Sequence, residues 1–291
     1  MFTGSIVAIV TPMYPDGRVD YGALEKLVEF HIVNKTDAIV AVGTTGESAT
    51  LDYEEHRQVI RKVVEFADGR VPVIAGTGSN STLEALKLTH WAAEDGAQAC
   101  LLVTPYYNKP TQEGLYQHYK LIAESVDIPQ ILYNVPGRTG VDLQPETVAR
   151  LANIDNIIGV KEASTLERID ELLDKVSNDK FSVWSGEDGL ACEAILRGAN
   201  GVISVSANVA PLQMHKMTQA AMAGDREKAE AFDAELKELH RLLFIESNPI
   251  PAKWILKEMG KIQGGIRLPL ISLDKQYHLT MQDLIAKLPK A

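Results

Sequence analysis

The chain alternates short apolar runs with amphipathic stretches, and this alternation constrains its fold more than any other feature. Eight runs rich in Val, Ile, Leu and Ala show little polar alternation, which is typical of strands buried on both faces of a parallel sheet. Eight strand–helix units predict an α/β fold, namely a closed (β/α)8 TIM barrel with a C-terminal helical extension. The predicted strands are Ser5–Thr11, Ala38–Gly43, Val71–Gly76, Ala99–Thr104, Pro129–Asn134, Asn156–Lys161, Phe181–Ser185 and Gly201–Ser204.

The segments between the strands begin with residues that cap helices. Asp20, Asp52 and Ser81 each precede a helical run, and their side chains can accept hydrogen bonds from the first free backbone N–H groups. Glu55 follows Asp52 by three residues, which is the spacing of a capping box. These positions predict the starts of the first three helices.

The C-terminal part of the chain is predicted to be helical. We expect residues 1–210 to hold the barrel strands, their helices and the active site, and residues 211–291 to hold the last barrel helix and the extension. No linker rich in Pro or Ser separates the two parts, so we expect one structural unit. The segment Gly264–Leu279 has no clear pattern. The predicted helices are Pro211–Ala223, Arg226–Phe244, Pro249–Met259 and Thr280–Leu288.

Composition excludes several classes of protein. A hydrophobic fraction of 45% and a charged fraction of 23% argue against a disordered chain. The net charge is -10 without a basic cluster, so we expect neither nucleic acid nor a membrane as a partner. No apolar run approaches the ~18 residues of a membrane span. The N-terminal residues lack the pattern of a signal peptide, so we expect a cytoplasmic protein with Cys100 and Cys192 reduced.

A lysine ends the sixth predicted strand, where a (β/α)8 barrel carries its chemistry. Lys161 follows the apolar run Ile157–Val160. Apolar surroundings disfavour the charged form of a lysine and free its amine as a nucleophile. Such an amine suits Schiff-base chemistry on a carbonyl substrate. The alternative is a structural ion pair with Glu162 or Glu187.

Other strand ends carry polar groups that could assist this lysine. Tyr133 ends the fifth strand and could move a proton during imine formation, with Thr44 as a hydroxyl bridge. Arg138, in the loop after the fifth strand, could bind a carboxylate through two hydrogen bonds. Thr45 and the backbone beside it could bind another carboxylate. A tyrosine that only fills the barrel mouth and a solvated loop arginine are the alternatives.

The sequence offers no metal or phosphate site. The seven histidines form no cluster, and none ends a strand, so no metal is expected. The turn after the first strand, Thr11–Tyr14, lacks the glycines of a dinucleotide-binding fold. The acidic turn Ser185–Asp188 would repel a phosphate group.

Four motifs in this order resemble the dihydrodipicolinate synthase family, also called the 4-hydroxy-tetrahydrodipicolinate synthase family. The resemblance extends from Thr3-Gly4 to Arg267-Leu268-Pro269, which is nearly the whole chain. The motifs are Gly43-Thr44-Thr45-Gly46-Glu47, Tyr133-Asn134-Val135-Pro136, Gly159-Val160-Lys161-Glu162 and Asn248-Pro249-Ile250-Pro251.

The resemblance implies a lyase of the class I aldolase type. Such an enzyme condenses pyruvate with L-aspartate 4-semialdehyde to 4-hydroxy-tetrahydrodipicolinate, in diaminopimelate and lysine biosynthesis. It needs no cofactor, because the protonated imine is the electron sink. The implied catalytic residues are Lys161 for the imine, Tyr133 as acid and base, and Thr44 and Tyr107 as a proton relay. The implied substrate-binding residues are Thr45, Arg138, Gly186 and Ile203.

The resemblance also implies an oligomer and an effector. The family is commonly a tetramer built as a dimer of dimers, in which the Tyr107 equivalent enters the neighbouring subunit's site. In lysine-sensitive members, lysine binds at the tight-dimer interface, and position 53 is often histidine where this chain has tyrosine. The matching positions are Ser48, Ala49, Tyr53, His56, Asn80, Glu84 and Tyr106.

Two other functions fit parts of the pattern. A sister pyruvate-dependent aldolase, such as an N-acetylneuraminate lyase or a keto-deoxy-sugar-acid aldolase, shares the lysine and the tyrosine. The run Gly137–Gly140 favours the amino-acid semialdehyde over these sugars. A barrel without catalysis would lack some of the candidate residues, and all are present.

Overall fold

Eight parallel strands close into a barrel in the computed structural model, which describes residues 2–176 and 180–288. Each strand pairs with the next, and β1 pairs with β8 to close the ring. The predicted (β/α)8 barrel is confirmed. Residues 289–291 of the predicted extension lie outside the described residues. The strands are β1 Gly4–Ala8, β2 Ala38–Ala41, β3 Val73–Gly76, β4 Ala99–Val103, β5 Gln130–Asn134, β6 Ile157–Glu162, β7 Ser182–Ser185 and β8 Gly201–Ser204.

The second strand ends earlier than the sequence predicts, because the backbone turns at Val42. Its φ of 56° lies in the left-handed region, which a β-branched residue rarely adopts. Gly76 on β3 permits this turn, since a Cβ there would overlap the Val42 carbonyl. The chain therefore leaves the barrel wall before Gly43 and enters a 3-10 turn at Thr44–Gly46.

The helices begin at the capping residues that the sequence indicates. Asp20 accepts from the Ala23 N–H, and Asp52 and Glu55 form the capping box. Ser81 caps the third helix. The last helix begins at His278, two residues earlier than predicted. The helices are α1 Tyr21–Val33, α2 Tyr53–Ala67, α3 Thr82–Glu94, α4 Gln112–Ser125, α5 Pro136–Thr139, α6 Pro145–Leu151, α7 Leu166–Lys175, α8 Asp188–Leu196, α9 Pro211–Met222, α10 Arg226–Leu242, α11 Ile250–Glu258 and α12 His278–Lys287.

Two separate apolar clusters hold the barrel together. Alternate strand residues point inward, where Ile6, Ile131 and Trp184 fill the lumen. Their neighbours, such as Val7 and Leu132, face the helices and form the larger cluster. The lumen is thus a packed core below the rim where the strands end.

The C-terminal extension is fastened to that rim by ion pairs. Lys253 of α11 is buried and pairs with Glu47, which is also buried, in the loop after β2. Arg267 donates to both carboxylate oxygens of Glu55, at 2.7 Å each, and to the Thr50 carbonyl at 2.7 Å. The extension therefore covers one side of the barrel mouth. Across the described part of the chain, no helix is both long and apolar enough to cross a membrane.

Lys253→Met should destabilise the protein by about 3–5 kcal/mol, because Glu47 would remain as a buried charge without its partner. Denaturant unfolding of the two proteins measures this difference. Lys257→Met, on the exposed face of the same helix, is the matched control and should change stability by less than about 0.5 kcal/mol. Equal effects of the two variants would contradict a structural role for the buried pair.

Candidate active site

Lys161 and Tyr133 face each other inside the barrel rim. They are register partners on β6 and β5, so their side chains point to the same side of the sheet. The Lys161 Nζ lies 4.1 Å from the centre of the Tyr133 ring. Both residues are buried, with exposed fractions of 5% and 7%. An amine and a phenol thus share one enclosed space.

Four further residues predicted for the site line the same cavity: Thr44, Thr45, Arg138 and Gly186. Gly186 has a steric role, since a Cβ there would lie 2.9 Å from the Lys161 Cε. Only glycine leaves room for the lysine stem at this position. The polar wall residues Glu187 and Asn248 are not among the residues that the sequence predicts for the site. The remaining lining residues are Ala8, Gly43, Leu101, Val135, Val205 and Phe244.

Lys161 forms no ion pair within the described residues, so the structural alternative of a salt bridge to Glu162 or Glu187 is not observed. Glu187 lies on the cavity wall. Burial raises the pKa of Glu187, Asp188 adds to the rise, and Lys161 and Arg138 oppose it.

A buried hydrogen-bond network lies behind the lysine, on the outer side of the barrel wall. The Asn134 Nδ2 donates to both Glu162 oxygens, at 3.1 and 3.0 Å, and to Asp142 at 2.8 Å. Arg168 holds Asp142 with two hydrogen bonds of 3.0 and 2.9 Å. Asn134 and Glu162 directly follow Tyr133 and Lys161, so the network fixes the two strands that carry them. Burial raises the pKa of Glu162 to about 7.

Asn248 joins the extension to the site. Its Nδ2 donates to the Thr45 Oγ1 at 2.9 Å, and its main-chain carbonyl accepts from Arg138 at 3.3 Å. The sequence contained a signal, because the run Asn248–Pro251 is one of the four motifs. Its spatial relation to Thr45 was not predictable, since 203 residues separate the two.

Two predicted site residues lie away from this cavity wall. Tyr107 is 88% exposed and has a φ of 74°, so its phenol projects outward. Ile203 is fully buried in the barrel lumen on β8, where it pairs with Ile6. It lies two residues before Val205, which does line the cavity.

A second cavity of about 620 Å3 adjoins the first and shares Thr44, Val135, Arg138 and Asn248 with it. The neutral form of His56 is favoured, because burial lowers its pKa. Its Nε2 contacts the Gly76 carbonyl at 2.7 Å and must donate there, which leaves Nδ1 as an acceptor.

Six of the seven predicted effector residues line the second cavity, namely Ser48, Ala49, Tyr53, His56, Glu84 and Tyr106. Asn80 does not line it and lies next to Ser79, which donates to Glu84 at 2.8 Å.

No group of three or more metal-binding side chains occurs in residues 2–176 and 180–288.

A closed parallel barrel with a buried lysine beside a tyrosine at its rim defines a lyase of the class I aldolase type. Residues 1–288 match the model of the Dihydrodipicolinate synthetase family. The chain belongs to this family, as its motifs predict.

Similar proteins align with this chain over nearly the whole length of both. A 4-hydroxy-tetrahydrodipicolinate synthase from Alkalilimnicola ehrlichii is 62% identical over 97% of both chains. A solved structure of the chloride-inhibited dihydrodipicolinate synthase from Acinetobacter baumannii, complexed with pyruvate, is 55% identical, with a TM-score of 0.97 over 99% of both chains. A dihydrodipicolinate synthase from Cyanidioschyzon merolae with lysine bound is 38% identical, with a TM-score of 0.95 over 98% of both chains.

Glu162→Gln should change stability in a pH-dependent way. In the wild type, the folded state favours the protonated form of Glu162. The stability that this protonation contributes is fully present below the ordinary pKa of 4.5 and is lost as the pH rises through about 7. Between pH 4 and pH 8, the free energy of unfolding of the variant should therefore rise by roughly 3 kcal/mol relative to that of the wild type. Denaturant unfolding across this range measures the gain.

Glu235→Gln, at an exposed position of α10, is the control for the loss of a carboxylate. A difference between Glu162→Gln and wild type that stays constant from pH 4 to pH 8 would show that Glu162 does not titrate in this way.

Proposed function

We propose that this chain condenses pyruvate with L-aspartate 4-semialdehyde to give 4-hydroxy-tetrahydrodipicolinate, the first committed step of diaminopimelate and lysine biosynthesis. The observation that carries the proposal is Lys161, buried at the barrel rim with its Nζ 4.1 Å from the Tyr133 ring centre. Membership of the family supports this choice of substrates, since the similar synthases carry the name of this reaction.

The covalent path runs through Lys161. Its neutral amine attacks C2 of pyruvate, and loss of water forms an imine. The protonated imine withdraws electrons, so the pyruvate methyl group loses a proton and becomes an enamine carbon. That carbon attacks the aldehyde and leaves a hydroxyl group. The substrate's own amine then attacks the imine carbon, closes the ring and displaces Lys161. No metal or organic cofactor takes part.

Tyr133 is the general acid and base in this proposal. Its phenol donates a proton when water leaves C2 and accepts one when the enamine forms. Thr44 lies on the wall of both cavities and is the proposed next member of the relay. Tyr107 of a neighbouring subunit is the proposed last member, which is consistent with its 88% exposure here.

Each substrate carries a carboxylate that needs a partner. Thr45 is proposed to donate to the pyruvate carboxylate, and Arg138 to bind the semialdehyde carboxylate through its guanidinium group. The backbone of Gly186 and Ile203 is proposed to border the pyruvate. With a net charge of -10, the protein repels anions overall, so local cationic groups must attract them.

Lys161→Ala should keep the fold and lose the reaction. We expect kcat to fall at least ~10²-fold, because the covalent path disappears. Incubation with pyruvate and borohydride, followed by mass measurement and peptide mapping, locates the trapped imine. Lys237→Ala, at an exposed position of α10, is the matched control and should retain both the adduct and the activity.

A pyruvate adduct on another lysine of the Lys161→Ala protein would contradict the assignment. Trapping of pyruvate without turnover of L-aspartate 4-semialdehyde would point to a sister aldolase.

We also propose that the chain forms a homotetramer, as a dimer of dimers. The support is the aromatic pair Tyr106 and Tyr107, whose exposed fractions are 37% and 88%. A phenol that serves the partner's site would explain why the loop presents this pair outward. Leu83, on the neighbouring helix α3, is 77% exposed and adds apolar surface.

Lysine is the proposed effector, bound in the second cavity. Glu84 would pair with its α-ammonium group, and Tyr106 and Asn80 would donate to its carboxylate. His56 Nδ1 and the Ser48 carbonyl would accept from its ε-ammonium group, while Ala49 and Tyr53 border the site. Because Tyr106 precedes Tyr107, a bound lysine could disturb the proton relay, which gives a physical route for inhibition.

Glu84→Gln should relieve inhibition by lysine while the pyruvate adduct still forms, because the variant loses the charge that holds the α-ammonium group. Initial rates at increasing lysine, together with calorimetry in the presence of pyruvate, measure the effect. Glu94→Gln, at the other end of the same helix, is the control and should remain inhibited. Absence of lysine binding to wild type at millimolar concentration would rule out this effector.

A further inference from the structure

Asn248 is the polar residue that the C-terminal extension contributes to the wall of the cavity holding Lys161. It is 4% exposed, lies just before α11 and lines both cavities. The buried pair of Lys253 with Glu47 anchors the first turn of α11 beside the Thr44–Gly46 turn. Asn248 is thus held over the site by a contact that is not itself part of the chemistry.

The hydrogen bond from Asn248 fixes the role of the Thr45 hydroxyl. The Asn248 Nδ2 can only donate, so the Thr45 Oγ1 accepts from it at 2.9 Å. The hydrogen of Thr45 is not used in this contact. Thr45 lines the cavity that holds Lys161, so its hydroxyl is left to donate to a ligand there.

The Asn248 main chain makes a second link. Its carbonyl accepts from the Arg138 guanidinium at 3.3 Å, across 110 residues of sequence. One residue therefore holds both groups that are suited to bind carboxylates. The side chain acts on Thr45 and the main chain acts on Arg138, so a side-chain substitution separates the two effects.

The Thr45 hydroxyl is the one side-chain partner of the Asn248 amide within the described residues. The amide Oδ1 is buried without a hydrogen-bond partner in that part of the chain. Truncation of the Asn248 side chain therefore removes its contact with Thr45 and leaves its main-chain contact with Arg138 in place.

We propose that Asn248 is a positioning residue, which orients the Thr45 hydroxyl as a donor to the pyruvate carboxylate and holds Arg138 beside it. This inference rests on the proposed function, because it takes pyruvate as the ligand at Thr45. Asn248 itself is not required to touch the reacting atoms. The C-terminal extension thereby becomes part of the binding site for the first substrate.

The test measures pyruvate binding without the second substrate. Borohydride trapping at increasing pyruvate gives the concentration for half-maximal adduct formation. Asn248→Ala and Asn248→Asp both remove the donor and should raise that concentration roughly three- to tenfold, the value of one hydrogen bond. The KM for L-aspartate 4-semialdehyde should change less than about twofold, because the main-chain carbonyl remains. An effect of Asn248→Asp alone would indicate charge repulsion and overturn the proposal.

A double-mutant cycle with Thr45→Val decides whether Asn248 acts through this hydroxyl. If it does, adding Asn248→Ala to Thr45→Val causes no further rise. An equal rise in both backgrounds would overturn the proposal, as would unchanged trapping by Asn248→Ala. Asn153→Asp, at an exposed position after α6, controls for added charge. Arg138→Ala should have the opposite effect, because it should raise the KM for L-aspartate 4-semialdehyde more than the pyruvate concentration for half-maximal adduct formation.

The two proposals fail in different ways. A wild-type protein that traps no pyruvate would remove the proposed function and, with it, this role for Asn248. A reactive wild type whose Asn248 variants behave like it would overturn only the role of Asn248.

Discussion

Closure of the barrel between β1 and β8 is the constraint on which the rest of the structure depends. Gly4 pairs with Gly201, and a Cβ on Gly201 would overlap the Gly4 backbone. Both residues have positive φ, 89° and 149°, which glycine alone adopts without strain. Because the ring is closed and all strands are parallel, every strand ends at the same rim. That geometry brings Tyr133 and Lys161 to one cavity with Thr45 and Gly186.

The rim is not a complete site without the segment that follows the barrel. The Glu47–Lys253 pair fastens α11 over the barrel mouth. Asn248, which lies just before α11, forms hydrogen bonds with Thr45 and Arg138. A buried charge without a partner is strongly destabilising. Because Lys253 and Glu47 must therefore remain in contact, their pair fixes the position of α11. The extension contributes part of the cavity wall and hydrogen bonds to Thr45 and Arg138.

The environment of the lysine is set from two sides. On the lumen side, Lys161 faces the Tyr133 ring. Among the described residues, no carboxylate forms an ion pair with its amine. On the outer side, Asn134 and Glu162 hold the strands in register by hydrogen bonds. The carboxylate nearest in sequence therefore serves the scaffold and not the amine. This separation follows from the alternation of side chains along a strand.

Local patterns in the sequence determined the barrel, its helix caps and the lysine at the end of the sixth strand. Strand periodicity and capping depend on neighbouring residues, so they can be read along the chain. Only the tertiary structure decided the early turn at Val42, the outward direction of Tyr107 and the place of Asn248 on Thr45. These depend on steric contact with Gly76 or on hydrogen bonds between segments far apart in sequence. Chain folding brings such partners together, and no local periodicity encodes them.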